Sequence, residues 1–286
     1  MSEDGTKLMK PLSSFTPELQ PESAKVSYRF RFPGPGGFQC TTTGLVFVLT
    51  QEADLHYRTV QWDDSLLQSA GKIPAGPLFK LQCPEDAVCQ LHLPHCETKD
   101  AKDHLCVVHI SDDGMSIIKP LEVTDTHVII KVPHLSAFGV VRSLEVLWKF
   151  LETPDPVNGH VFLYLRPTNP HTQMQYINVH LVSSNVPLEE VTARQSGHVN
   201  IPAPSKCKFI EDRNYSVQCL PTAHKIQPKK SEFDLDFGPN YHPTFEIRLS
   251  ASTQQATIMV QDENNTEVWK QDVDLTGLGP ARIPGF

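Results

Sequence analysis

The sequence has no apolar run of the ~18–20 residues that a membrane-spanning helix requires. Its opening stretch, MSEDGTKLMKPLSSFTPELQPESAK, lacks the apolar core of a secretory signal. A disulfide-stapled exported fold is therefore not expected, and a reduced cytoplasmic setting, the nucleus included, is. No face dense in Lys and Arg can be assembled, because 25 basic residues stand against 33 acidic ones for a net charge of −8. That balance argues against nucleic acid and membrane surfaces as partners. The one local basic cluster, HKIQPKKSE at 224–232, reads as an exposed loop. No P-loop, GxGxxG, HExxH or nucleophile-elbow motif is present, and GPGG at 34–37 lacks the Lys and the helix of a phosphate cradle. A CxxC pair is missing as well. Cys83, Cys89, His92, His95 and Cys96 do lie close together, but CQLHLPHC alternates as a strand does. Cys89, Leu91 and Leu93 are then expected on one face and Gln90 and His92 on the other, so neither a metal nor another cofactor is expected.

A long amphipathic helix is also hard to find; SLEVLWKFLE at 143–152 is as easily a strand. What the chain does have is proline, 24 residues against 15 glycines, separating many short period-2 or continuously apolar runs. In the first half these runs are TGLVFVLT, LHYRTVQW, VCQLHL, LCVVHI, HVIIKV and SAFGVV. In the second they are HVFLYLR, YINVHLV, NYSVQCL, FDLDF, TFEIRLS, ATIMV and EVWKQDVDL. Cys89, Cys106 and Cys219 sit inside such runs as small apolar residues. The pattern predicts an all-β protein of two consecutive antiparallel β-sandwich subdomains. Residues 1–24, polar and rich in Pro, Ser and Glu, are expected to be a disordered tail, and 277–286 a linker-like tail. By composition alone the seam falls at TPDPVNG, 153–159.

One arrangement looks chemical: CVVHISDDGM at 106–115, followed by KVPHLSAFGVV at 131–141. The interval from His109 to Ser136 suits a strand carrying the imidazole, a turn at Ser111–Gly114, an intervening segment and a return strand ending at Ser136. Antiparallel neighbours lie ~4.8 Å apart, so His109 could reach the Ser136 hydroxyl. Asp113 could bend back to hold the imidazole, completing a nucleophile, base and orienter. With 13 histidines in the chain, this spacing alone does not separate a catalytic pair from a structural hydrogen bond.

Several stretches, in order, resemble the function-to-find domain (FIIND), a ZU-type half followed by a UPA half. This family occurs in NACHT/leucine-rich-repeat inflammasome sensors and related CARD proteins. YRFRFPGPGGFQCTTTGLVFVL is similar to its opening strands, and VQWDDSL with IPAGPLFKLQCPEDAVCQLHLPH to the middle of the ZU half. VHISDDGM and VPHLSAFGVV resemble its self-cleavage segment, and NYHPTFEIRL and TEVWKQDVDL the closing strands of UPA.

The resemblance implies autoproteolysis between Leu135 and Ser136, with Ser136 as nucleophile, His109 as base and Asp113 as the acidic partner. His134 is a candidate accessory residue from the HFS seam of related proteins. Where cleaving relatives carry Phe before the serine, this chain has Leu135. The resemblance moves the expected boundary from the turn cluster to the scissile bond, giving a ZU-type half at 25–135 and a UPA half at 136–276. It implies halves that stay associated after the cut, and UPA release that promotes innate immune signalling. The partners it implies are the chain's own cleaved fragment, other UPA-containing chains, CARD-bearing inflammasome proteins and a cytosolic dipeptidyl peptidase. In the family a CARD follows UPA. Two alternatives stay open: a non-cleaving ZU–UPA scaffold that binds cytoskeletal or death-fold partners, and a hydrolase acting on other molecules.

Overall fold

A computed structural model describes residues 12–22, 25–98, 102–143, 156–166, 173–195, 197–235, 237–238 and 241–276. The first half contains β1 (Ser13–Phe15), β2 (Glu18–Glu22), β3 (Lys25–Phe32), β4 (Gly36–Cys40), β5 (Val46–Leu49), β6 (Ala53–Val60) and helix α1 (Asp64–Ser69). It continues with β7 (Lys72–Pro74), β8 (Leu78–Gln82), β9 (Val88–Pro94), β10 (Leu105–Ser111), β11 (Gly114–Ile118), β12 (Glu122–Val123), β13 (His127–Lys131) and β14 (Ala137–Ser143). The second half has β15 (Val157–Leu165), β16 (Met174–Ser183), helix α2 (Leu188–Arg194), β17 (Val199–Ile201), β18 (Lys206–Phe209) and β19 (Asn214–Leu220). It closes with β20 (Lys225–Gln227), β21 (Ser231–Glu232), β22 (Phe245–Ser250), β23 (Gln255–Gln261) and β24 (Glu267–Asp274).

Each half is a sandwich of two sheets. In the first, the order β1-β4-β5-β9-β13-β12 faces β11-β10-β14-β8-β6-β3-β2, with β7 beside β14. In the second, β17-β15-β16-β22-β20, with β18 beside β15, faces β21-β19-β23-β24. Pairing among these strands is antiparallel except for β1 on β4. Strand β6 shows why the sequence folds this way: Ala53, Leu55, Tyr57 and Thr59 are buried while Asp54, His56, Arg58 and Val60 lie on the other, wetter face. The first core gathers Tyr28, Phe32, Phe47, Tyr57, Phe79, Leu91, Val107 and Phe138. Each such side chain contributes roughly 1.5–3 kcal/mol on burial.

Strand β14 is different, being apolar on both faces. Phe138 and Val140 enter the first core, whereas Ala137 and Val141 join a second cluster with residues of the C-terminal sandwich. Gly139 lies on that second face under Trp62, where an added Cβ would come within 2.4 Å of the indole. The run AFGVV is thus continuous rather than alternating because both of its sides are covered.

Several expectations are corrected. Residues 12–22 are not a disordered tail: β1 and β2 pair with β4 and β3, and Phe15 packs among Phe30, Phe32 and Phe47. One buried aromatic ring anchors a stretch whose composition is otherwise polar. The sheets do not divide at 135/136, because β14 lies between β10 and β8 inside the first sandwich. The division falls between β14 and β15, near the composition-based seam. FDLDF forms no strand over its described residues; Phe233 and Phe237 reach the second core from a loop. A bulge opposite Val48 and Leu49 shifts the pattern in β9, so that Val88, not Cys89, joins Leu91 and Leu93 in the core. Ser136 precedes a strand rather than ending one. The SLEVLWKFLE candidate, apart from Ser143, and the 277–286 tail lie outside the described residues.

Candidate active site

The hairpin β10–β11 turns through Asp112 and Asp113, with Gly114 at φ +117° where a side chain would be strained. A two-residue turn fixes the register: Ser111 pairs with Gly114, and His109 with Ser116. On its other side β10 pairs with β14, setting His109 opposite Phe138. Ser136 is two residues before Phe138 on the same face of the pleat, within diagonal reach of the imidazole. The result is a hydrogen bond of 2.6 Å between Ser136 Oγ and His109 Nε2.

The chain reaches Ser136 through the bend Pro133–Ser136, which leaves β13 in one sheet and enters β14 in the other. Both ends of this crossing are fastened. The Val132 N–H donates to the Cys89 carbonyl at 3.0 Å, and the Leu81 N–H donates to the Ser136 carbonyl at 2.8 Å. Leu135 is partly buried against the first core.

The imidazole is closely held. His109 is only 3 % exposed; its ring stacks on Phe138 at 4.6 Å and meets the edge of His134 at 4.4 Å. Burial, then the nearby His134 charge, pulls its pKa below 6.5, opposed by the His134 backbone carbonyl. A ring so placed is neutral at neutral pH, with a lone pair available on Nε2 if Nδ1 carries the proton. The group facing Nδ1 is Ser116 Oγ at 3.5 Å.

Ser136, His109, Leu135 and His134 therefore come together, and Asp113 does not join them. Asp113 is exposed in the hairpin turn, and no hydrogen bond or ion pair among the described residues connects it to His109. Ser116 and Phe138 were not anticipated from the sequence. The two-residue DDG turn was the available signal for Ser116, since it alone sets Ser116 opposite His109. Two members of the Cys/His group hydrogen-bond to backbone carbonyls outside it. Cys89 donates to the Val48 carbonyl at 3.3 Å, and His95 Nε2 to the Thr124 carbonyl at 3.0 Å. All seven cysteines are free thiols. No helix among the described residues is long and apolar enough to cross a membrane.

Comparison with known proteins agrees with the two-sandwich architecture. The sequence matches the "Function to find" family over residues 21–147 and the "UPA-FIIND domain" over residues 157–273, and the gap between the matches falls where the two sandwiches divide. Similar proteins include the mouse "NACHT, LRR and PYD domains-containing protein 1b allele 1", 24 % identical over 89 % of this chain. The mouse allele 5 protein is 26 % identical over 85 %. The rat "NACHT, LRR and PYD domains-containing protein 1a allele 1" is 26 % identical over 74 %. The chain spans only 21 %, 21 % and 19 % of the length of these three relatives. Two consecutive β-sandwiches matched in order by the two halves of one family make the conclusion direct: the chain belongs to the FIIND family, a function-to-find domain followed by a UPA-FIIND domain.

Proposed function

We propose that this chain cuts its own backbone between Leu135 and Ser136, and that its two fragments then remain together as a regulatory module of innate immune signalling. The observation that carries the proposal is the 2.6 Å contact between Ser136 Oγ and a buried His109 Nε2, on the residue that follows the scissile bond. In the first step Ser136 Oγ attacks the Leu135 carbonyl carbon while His109 Nε2 takes the hydroxyl proton. The C–N bond breaks as His109 returns that proton to the departing nitrogen, leaving an ester to Oγ and a free α-amine on Ser136. Water then hydrolyses the ester, giving a Leu135 carboxylate and restoring the Ser136 hydroxyl. Ser116 Oγ is the group suited to accept from Nδ1–H and fix the tautomer; Asp113 would have to leave its turn to do so.

The demand on rate is small. One turnover per chain at ~10⁻⁴ s⁻¹ corresponds to a barrier of about 23 kcal/mol, against about 16 kcal/mol for an enzyme turning over at ~10 s⁻¹. A dyad with a hydroxyl in the third position is adequate for that.

The position of β14 supports retention after the cut. Its pairings with β10, β8 and β7 are made by backbone groups that the cut leaves intact. The C-terminal fragment therefore keeps a strand inside the N-terminal one, and removal of the N-terminal fragment would free the UPA half to associate with other UPA-bearing chains and CARD-bearing inflammasome proteins in the cytoplasm. A non-cleaving scaffold is the second reading, and the placement of Asp113 away from His109 is what favours it. A denaturing gel of purified protein decides between them. Wild type should give fragments of 135 and 151 residues, and Ser136→Ala a single intact band; an intact wild-type band would leave the scaffold.

A further inference from the structure

Beyond the cut itself, the two halves meet through a short segment that the reaction does not use. Between β16 and the body of α2, Asn185 and Glu190 of the second sandwich reach into the first. Asn185 Nδ2 donates to the Ala75 carbonyl at 3.0 Å and faces the Pro94 carbonyl at 3.4 Å. It fits against Gly76, where an added Cβ would lie 2.9 Å from that nitrogen. Glu190 is 4 % exposed. The Thr59 hydroxyl donates to its Oε2 at 2.6 Å, and the Tyr28 hydroxyl to its Oε1 at 3.1 Å.

A carboxyl group taken out of water is costly unless each oxygen finds a donor. Here both donors come from β3 and β6 of the other sandwich, 162 and 131 residues away in sequence. Tyr28 is well suited to this, because burial, followed by the Glu190 charge, keeps its hydroxyl protonated far above the usual range. Burial also raises the Glu190 pKa, while Thr59 and Tyr28 oppose that shift. Further polar contacts cross the division: Arg142 of β14 pairs with Glu211, and the Asn158 N–H donates to the Cys96 carbonyl at 2.9 Å.

We infer that the segment Asn185–Glu190 is the docking element by which the second sandwich holds the first, with Glu190 as its pin and the Tyr28 and Thr59 hydroxyls as its receptor. This inference rests on the self-cleavage reading only in making the pin an inter-fragment contact. Tyr28 and Thr59 belong to the fragment before Ser136, and Glu190 to the fragment after it. Glu190 therefore sets how firmly a cut molecule stays assembled, alongside the buried strand β14. The pin needs an acceptor of this length rather than a charge. A glutamine could serve, since hydroxyls can also accept from its amide, whereas alanine strands two buried hydroxyls.

The test uses the full chain with a tag at its N-terminus, immobilised after cutting and washed with increasing urea, the released C-terminal fragment being measured. Glu190→Ala should release it at lower urea, with a dissociation rate raised roughly tenfold or more. Glu190→Gln should behave close to wild type. Tyr28→Phe combined with Thr59→Val, which removes the donors and leaves α2 untouched, should match Glu190→Ala. Equal release from wild type and both donor-side and acceptor-side variants would overturn the inference. A denaturing gel of the same samples reports the cut separately. If wild type is intact there, the same variants are compared by hydrogen exchange over β3, β6 and α2. Faster exchange in Glu190→Ala then upholds the pin, and unchanged exchange overturns it.

Discussion

Each sandwich contains a serine hydroxyl hydrogen-bonded to a strand histidine, and the two pairs differ in where the serine sits. In the first, Ser136 Oγ meets His109 Nε2 at 2.6 Å; in the second, Ser205 Oγ meets His160 Nδ1 at 2.9 Å. Both rings are packed on a phenylalanine, Phe138 and Phe162 respectively, and burial lowers both pKa values. Hydrogen-bond geometry alone would rank them together. The surroundings of the serines separate them. Ser205 lies in a loop between β17 and β18, which both pair with β15, so the chain there stays within one sheet. Ser136 ends a four-residue crossing between the two sheets of its sandwich, tied at both ends by backbone hydrogen bonds. A serine–histidine contact is common; one on a fastened crossing, beside a strand buried on both faces, is a more specific arrangement.

The largest effect that tests this contrast is the exchange of the two imidazoles. His109→Gln should slow self-cleavage by roughly 10²–10⁴-fold, the usual contribution of a general base. His160→Gln and Ser205→Ala should leave the gel pattern unchanged, and loss of cutting in Ser205→Ala would break the distinction. Next in size is the pH dependence. The base works only as neutral imidazole, and burial has lowered the His109 pKa below 6.5. The rate should therefore stay level down to about that pH and fall about tenfold per unit below the lowered pKa. A midpoint above 6.5 in a pH series started by rapid refolding would show that a different group limits the reaction. The smallest effect compares Ser116→Ala with Asp113→Asn. Loss of the hydroxyl opposite Nδ1 should slow cutting several-fold, as removal of a single neutral hydrogen bond does. Asp113→Asn should change little if the acid remains in its turn; the reverse order, measured by quantitative gel, would return Asp113 to the orienting role.

The sequence made the strands legible wherever one face was dry. NYSVQCL and ATIMV became β19 and β23 because period-2 burial records itself in residue choice. The contact of Ser136 with His109 was legible as a spacing, but its meaning came from family motifs, since thirteen histidines allow many such spacings. What stayed hidden was non-local. Phe15 turns a polar tail into two strands by entering an aromatic cluster built from residues 15 to 32 positions later. Asp113 has the charge of an orienting acid, whereas the hairpin register delivers Ser116 to the ring. Glu190 offered no signal at all, because its partners lie in the other sandwich.

Gly139 shows what the fold adds to the chemistry. Its missing side chain lets β14 lie beneath Trp62, and only when β14 has taken that place, between strands made much earlier in the chain, does Ser136 face its imidazole. The cut proposed above would thus be conditional on tertiary structure. A nascent or misfolded chain carries every reacting atom and would leave the bond whole, so a severed bond would be a permanent record, kept in the covalent structure, that the first sandwich was once correctly built.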